Sequence, residues 1–586
     1  MINYTEMNRF TYGFLRISIP VLLLSSCELL EPDVSNVYKL EDVKRFTNYA
    51  EGLLLKAYLD LPQNHSNFNL AYGSDDAVTN NQEAGVKNAN EGGWSSNANP
   101  FSVWDNAYEC ITYINTFLEE TTEIDWYWEF ENVSEMYAKR LRGEAYGLRA
   151  WYYFTLLQAH AGKGANGEML GVPIVDHVLD PGNPEDYEIP RSSFDELVDF
   201  ILTDCDSAIA LLPDRYEDIG DSYYNLGYGS DFTNRINGLA VRLIKTKTLL
   251  YAASPAYAEG SSYTYQQAAE SAAEIMDLNG GLSNVTLENQ NHLQFYSNND
   301  VAQGNSHPEV FWYSSRRNIN GWERENYPPS WYGEANTNPT QELVNAFPLV
   351  TGIPVDQGKI NSSNPYSGRD PRLSMYILYN GSTFIRNPGT ATADTLTINT
   401  KAGSQDAIGS ADPNRSLTGY YLRKFMNLNV NVNPAVNSSG VHYYVYARYT
   451  DVLLMFAEAA NEAVGPDAEI GGYTSKNVIN AIRRRAGITT PFYIDFAISQ
   501  GTFPELIKNE RRLEMCFENQ RFWDLRRWKM VDEMRAPVHG VQVSADGTEY
   551  TYVEVEQRNY QDHQVYGPIP YGETLKYELI QNEGWN

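Results

Sequence analysis

The densest set of groups able to exchange protons lies between residues 510 and 528. It comprises Glu510, Arg511, Arg512, Glu514, Glu518, Arg521, Asp524, Arg526 and Arg527, interleaved with Leu513, Cys516, Phe517, Phe522, Trp523 and Trp528. Two carboxyl groups about 5 to 9.5 Å apart can cleave a glycosidic bond, and Glu514 with Glu518 offers the right residue types. Yet Glu and Arg three or four apart on a helix neutralise one another, and guanidinium planes stack on neighbouring rings. The spacing predicts a structural ion-pair network in which Arg511, Arg512 and Arg521 serve Glu514 and Glu518. No catalytic residue is assigned.

Other motifs fail on context. Gly162-Lys163-Gly164-Ala165-Asn166-Gly167 spells GxGxxG, but a dinucleotide site needs a strand before it and a helix after it. Here an aromatic-rich helix ending at His160 precedes, and Val172-Pro173-Ile174-Val175 follows. A helix cap and loop are expected instead. There is no HExxH, no GxSxG and no Walker A loop, and no two of the eight histidines stand four apart. Neither a metal nor a cofactor is expected. Of the four cysteines, Cys110, Cys205 and Cys516 form no CxxC pair, and Cys205 falls on a helical apolar stripe. Core packing, not a disulfide scaffold, is its expected role.

A different chemistry is suggested by 43 Tyr, 22 Phe and 11 Trp, together 13% of the chain. A pyranose presents apolar C–H faces and a rim of hydroxyls, so flat rings with amides and carboxylates beside them suit it. Two loop segments offer that mixture. The first is Trp94, after Gly92-Gly93, with Asn97 to bond a hydroxyl and Asp75-Asp76 shortly before. The second is Arg316, Arg317, Asn318, Asn320, Trp322, Glu323, Arg324, Tyr327, Trp331 and Tyr332. Trp322 follows Gly321 outside any helical stripe, and Trp331 follows the stiff turn Tyr327-Pro328-Pro329-Ser330. The predicted ligand contacts are Trp94, Asn97, Asp75, Trp322, Tyr327, Trp331 and Arg324, with at least two of the rings exposed. Trp104, Tyr108, Trp151 and Tyr152 stand in helical context and are assigned to the core.

The elements that must position these residues are mostly helices. The 586 residues are 42% hydrophobic and 20% charged, a folded composition. The net charge of −31 removes nucleic acid as a default partner and mildly disfavours polyanionic glycans, with Arg316, Arg317 and Arg324 as a local exception. Apolar periodicity predicts helices over 192–212, 134–160, 234–253, 265–278, 449–463, 475–486 and 503–528. Ser193 with Glu196 forms a capping box at the first of these, and Pro213 stops it. Small–large alternation along such helices suggests stacked hairpins of tetratricopeptide type. Residues 281–440 are rich in Asn, Gly, Ser and Pro and read as long irregular loops. A β-hairpin is expected around Asp546-Gly547, flanked by Val541, Val543, Tyr550, Tyr552, Val553 and Val555. The fold class is mainly α, with an amino-terminal helical half over 27–280 and a loop-rich and carboxy-terminal half over 281–586.

Residues 1–26 read as an export leader. Arg9 and Arg16 precede a short apolar run over 17–24 broken by Pro20, too short to span a bilayer. Leu24-Ser25-Ser26-Cys27 resembles a bacterial lipobox, which makes Cys27 the expected lipidation site. Several acyl chains there would hold the protein on a membrane.

Several longer segments carry a family resemblance. Arg448-Tyr449-Thr450-Asp451-Val452-Leu453-Leu454-Met455-Phe456-Ala457-Glu458-Ala459, Asn480-Ala481-Ile482-Arg483-Arg484-Arg485-Ala486-Gly487 and Glu510-Arg511-Arg512-Leu513-Glu514 with Arg521-Phe522-Trp523-Asp524-Leu525-Arg526-Arg527-Trp528 are similar to the SusD/RagB family of outer-membrane nutrient-binding lipoproteins. So are Leu148-Arg149-Ala150-Trp151-Tyr152-Tyr153-Phe154, Gly171-Val172-Pro173-Ile174-Val175 and the closing Pro568-Ile569-Pro570 with Gln581-Asn582-Glu583-Gly584-Trp585. The resemblance covers almost the whole chain after the leader, in order. It implies the SusD-like helical fold and an outer-membrane lipoprotein of a Bacteroidetes-type bacterium, facing the extracellular side. It also implies a SusC-like TonB-dependent transporter as partner. Members bind glycans or peptides without cleaving them, and the prototype's sugar-stacking rings fall near Trp94 and within Phe311–Tyr332. The expected function is capture of an oligo- or polysaccharide for the transporter. A RagB-like peptide-binding subunit and an anchored glycoside hydrolase are the alternatives.

Overall fold

The computed structural model describes residues 46–63, 70–127, 129–285, 309–356, 358, 361–387, 390–391 and 393–585. The leader and Cys27 lie outside the described residues. Helices dominate: α1 (Thr47–Leu59), α2 (Trp104–Glu120), α3 (Glu131–His160), α4 (Phe194–Ile209), α5 (Gly238–Ala253), α6 (Tyr265–Leu278), α7 (Tyr449–Val464), α8 (Ser475–Arg485), α9 (Phe503–Met515) and α10 (Arg521–Arg527). From α1 to α8 each packs on the next in this series, which is the stacked-hairpin order expected.

Local chemistry explains these elements. At α4 the Ser193 Oγ accepts from the Glu196 amide and the Glu196 carboxylate accepts from the Ser193 amide, which closes the capping box. The stripe Phe194, Leu197, Ile201, Cys205 and Ala208 is buried. Helix α3 approaches its neighbours so closely that a methyl group on Gly147 would stand 2.9 Å from the Val241 side chain. One on Gly143 would stand 2.7 Å from Leu212. The expected hairpin forms between Val538–Val543 and Tyr550–Glu556, with Gly547 at φ +82° in its turn.

Two expectations are corrected. The predicted helix over 503–528 is broken into α9 and α10, with Phe517 and Asn519 in left-handed conformation at φ 63° and 59°. The break exposes the last carbonyls of α9, and the Lys424 ammonium takes them: it donates to Glu514 O at 2.9 Å and Cys516 O at 3.0 Å. The GxGxxG run is a small hairpin, Gly162–Lys163 pairing with Met169–Leu170, not a helix cap and loop. No helix follows it to receive a phosphate.

Two hydrophobic cores result. The larger runs among the helices and draws on both ends of the chain, from Leu54 to Trp585. The smaller is centred on the loop-rich segment, gathers Trp322, Tyr327, Trp331, Phe384, Tyr420 and Phe425, and also takes in Ala77, Leu513, Phe517 and Val541. Short paired strands brace it, such as Ala77–Thr79 with Thr337–Pro339 and Val310–Tyr313 with Val445–Arg448. The carboxy-terminal tail folds back on the first helices. Trp585 packs on Trp94 with ring centroids 5.0 Å apart. Asn582 donates to His160 O at 2.9 Å and accepts from Arg191 at 2.9 Å. Among the described residues no helix is long and apolar enough to cross a membrane.

Candidate ligand-binding site

The charged cluster of α9 and α10 is a buried ion-pair network. Its partners differ from those expected. Glu514 accepts from Arg372 at 2.8 Å and Arg485 at 2.9 Å. Glu518 accepts from Arg448 and Lys424, each at 2.7 Å. Arg511 instead bridges Asp451 and Asp524, and Arg512 and Arg521 serve Asp75 and Asp76. Burial would raise Asp75 and Asp451, but their guanidinium and ammonium neighbours hold both well below the usual carboxylate range. Asp75 is therefore a fixed anchor between two helices' arginines, not a sugar contact, which corrects its predicted role.

The predicted stacking rings are corrected for the same reason: each has a core to fill. Trp94 is 5% exposed, wedged among Phe101, Phe522, Tyr560 and Trp585, with its indole N–H donated to Asn99 at 2.9 Å. Trp322 is 4% exposed and donates to Lys424 O at 3.3 Å. Trp331 is 5% exposed, packed on Tyr327 and Phe384, and Tyr327 is fully buried. None can lie against a sugar in this structure. Asn97 and Arg324 are exposed, and neither lines the cavity described next.

That cavity measures about 420 Å³, within the range of small-ligand sites. Trp151, Tyr152 and Gln158 of α3, Tyr444 just before the Val445–Arg448 strand and Tyr446 within it, and Trp523 of α10 form its walls. Trp151 stands edge-on to Trp312, ring centroids 5.3 Å apart, and this holds it half-buried at the opening. Tyr444 is also half-buried, 5.4 Å from Tyr446 in a tilted pair, and its hydroxyl accepts from Asn519 at 3.3 Å. Ser102 and Asn106 are exposed at the rim. Gln520 accepts from Lys247 at 3.1 Å.

The electrostatics of this cavity are balanced. Lys247 pairs with Asp451 at 2.8 Å, and Arg448 pairs with Glu518 and Glu309, each at 2.7 Å. Burial pushes the Glu518 carboxyl up, but Arg448 and Lys424 more than offset it and keep it low. A general acid needs a pKa near the working pH, and Asp451 and Glu518, two of the carboxyl groups lining this space, are both held low instead. Rings with amides and hydroxyls at the opening can hold a neutral polar ligand with apolar faces. Among the described residues no three His, Cys, Asp or Glu side chains are grouped to hold a metal ion.

Sequence reasoning assigned Trp151 to the core and passed over Tyr444, Tyr446 and Trp523. The available signal was the run Tyr443-Tyr444-Val445-Tyr446, in which strand alternation puts Tyr444 and Tyr446 on one face.

The model of the SusD family matches residues 298–585, and a model described as starch-binding associating with outer membrane matches residues 33–225. SusD-like protein P38 of Formosa agariphila is 22% identical over 462 residues, covering 75% of this chain and 74% of its own length. A solved SusD-like protein from Bacteroides fragilis NCTC 9343 is 25% identical with a TM-score of 0.68, covering 93% of this chain and 96% of its own. A SusD-like carbohydrate-binding protein from the same organism is 21% identical with a TM-score of 0.66, covering 91% of this chain and 98% of its own. With family models on both halves and the fold shared along nearly the whole length, the chain belongs to the SusD/RagB family.

Proposed function

We propose that the chain is a glycan-binding lipoprotein, anchored through Cys27 on the outer face of the outer membrane after removal of residues 1–26. There it captures oligosaccharide and passes it to a SusC-like TonB-dependent transporter. The observation that carries this reading is the cavity walled by Trp151, Tyr444, Tyr446 and Trp523, with amides and hydroxyls at its opening. The Bacteroides fragilis relative described as carbohydrate-binding supports it, as does the outer-membrane association named for the matching model. Binding without cleavage is supported by the paired, ionised state of Asp451 and Glu518.

The test is calorimetric titration of neutral oligosaccharides (β-1,3-glucan, α-1,4-glucan, xylan and mannan fragments) and of a mixed peptide pool, with reducing ends assayed in parallel. One glycan class should bind without release of reducing ends. Tyr444→Ala should weaken it by about 2 kcal/mol, roughly thirtyfold, as for a stacking anchor, while the melting temperature stays within a few degrees of wild type. Binding of peptides alone would move the function to the peptide-binding reading. New reducing ends that disappear in Glu518→Gln would make the protein a hydrolase.

A further inference from the structure

A second cleft, of about 880 Å³, opens in the loop-rich half and differs in charge from the cavity among the helices. Its lining carries two cations, Lys401 and Arg423, and no Asp or Glu. In a chain of net charge −31 that is an unusual place. Among the described residues neither cation has a carboxylate within 4 Å. Arg423 is half-buried, and one of its terminal nitrogens donates to Ser374 O at 2.8 Å and Thr383 O at 3.3 Å. Its other nitrogens make no hydrogen bond among the described residues. Burial pulls its pKa down without a carboxylate to offset it. Among the described residues Lys401 reaches only the Asp546 carbonyl, at 3.5 Å. A Cβ on Gly547 would press within 2.6 Å of the Lys401 side chain, so the glycine turn of the tail hairpin is what lets the lysine stem lie there.

Rings stand beside these charges. Tyr366 and Tyr379 stack with centroids 4.0 Å apart and planes at 22°, and Tyr550 meets Tyr366 edge-on at 5.8 Å. Tyr366 is buried by this sandwich, which leaves Tyr379 and Tyr550 half-buried. Asn364 and Asn380 add amides to the wall. A supported ring for a sugar face, amides for hydroxyls and two uncompensated cations describe a receptor for a sugar that carries negative charge. A half-buried guanidinium without a counter-charge is costly until an anion pairs with it.

We propose that this cleft is a separate glycan subsite selecting an anionic oligosaccharide, a uronate or a sulfate ester, with the charged substituent between Lys401 and Arg423 and the sugar face on Tyr379. The proposal rests on the reading that the chain binds glycan. It assigns charge selection to a different place from the cavity of Trp151 and Tyr444, where each cation already has its carboxylate.

The experiment titrates the mature protein with tetragalacturonate, a sulfated galactan tetrasaccharide, the carboxyl-reduced and desulfated forms of each, and inorganic sulfate. One charged tetrasaccharide should bind at least tenfold more tightly than its neutral form and weaken as salt rises. Lys401→Glu should lower that affinity tenfold or more at unchanged melting temperature, and Tyr379→Ala should lower it too. Equal binding of charged and neutral forms, or charged binding that survives both Lys401→Glu and Tyr379→Ala, would overturn the subsite. Inorganic sulfate competing as well as the tetrasaccharide would reduce the cleft to a simple anion site and overturn it equally. Loss of charged binding only in Tyr444→Ala would overturn the subsite yet leave the cavity reading standing. If none of these probes and no neutral glycan bound, both would fall.

Discussion

Replacing Glu514 separates a structural carboxylate from a catalytic one. Its side chain is fully buried and receives Arg372 at 2.8 Å and Arg485 at 2.9 Å. In Glu514→Ala the two arginines fare differently. Arg372 keeps Glu510 at 2.6 Å and Asp370 at 2.7 Å, whereas among the described residues Arg485 keeps only the Thr450 hydroxyl at 2.9 Å and a distant Glu309 at 3.5 Å. Breaking a buried ion pair from one side costs about 3–5 kcal/mol, because the remaining charge stays desolvated. With one arginine still satisfied, the loss should sit near the lower end, about 3 kcal/mol. Glu514→Gln preserves shape and one acceptor and should lose about 1–3 kcal/mol. The double replacement Glu514→Met with Arg485→Met removes both charges and should be less destabilised than the sum of its parts. Urea unfolding followed by tryptophan fluorescence gives the midpoints, and the reducing-end assay runs beside it. If Glu514→Gln unfolded like wild type but abolished a measurable glycan turnover, the structural reading would be refuted.

Three further outcomes follow from burial and charge. Trp331→Ala and Trp322→Ala should each cost about 3–5 kcal/mol of stability by emptying the smaller core, while the folded fraction binds glycan as wild type does; unchanged melting curves would contradict the packing. His160 is buried, and desolvation with the nearby arginines lowers its pKa to about 4. The unfolded chain takes up this proton near pH 6.5, so the stability it contributes is full above that pH and declines as the pH falls toward 4. The decline is on the order of 3 kcal/mol and should be missing from the melting profile of His160→Gln. Asp451, with its folded pKa depressed, adds its own loss only below about pH 4, which keeps the two windows apart. Cys27→Ala should shift the protein from membrane to soluble or unprocessed fractions; unaltered fractionation, with an unmodified mature terminus by mass spectrometry of the wild type, would remove the anchor from the proposed function.

Legibility followed the range of the interaction concerned. Tyr265–Leu278 and the hairpin around Asp546-Gly547 were readable because caps, periodicity and turn chemistry act within a few residues. That Glu514 and Glu518 belong to a network was readable too, but their partners were not: Arg372 lies 142 residues from Glu514. The binding rings failed on a subtler point. Trp322 and Trp331 lie on short helical turns, Gly321–Asn326 and Pro329–Trp331, inside a segment read as irregular, and irregular chain was equated with exposure. Their burial comes from strand pairs only two to four residues long, which leave no periodic trace. Trp151 shows the reverse, since a long helix such as α3 has more than one face and its stripe does not say which face meets a void. Lys401 and Arg423 are isolated cations in loops, and only folding brings both to the lining of one cleft.

The tail that carries Asn582 and Trp585 makes the order of synthesis matter. A ribosome delivers Trp94, His160 and Arg191 some 390 residues or more before the groups that cover them, as the separations of 391 and 422 residues from Arg191 and His160 to Asn582 show. Until then the indole of Trp94 and the carbonyl of His160 have no lid, and the amino-terminal helices present an unfinished apolar seam. Such long-range closure is slow and leaves the nascent chain open to aggregation. The molecule is fastened last at its own end, like a strap drawn through its first loop, and a chain cut before residue 580 should persist as a loosened, protease-sensitive form even though every stacked helix is present.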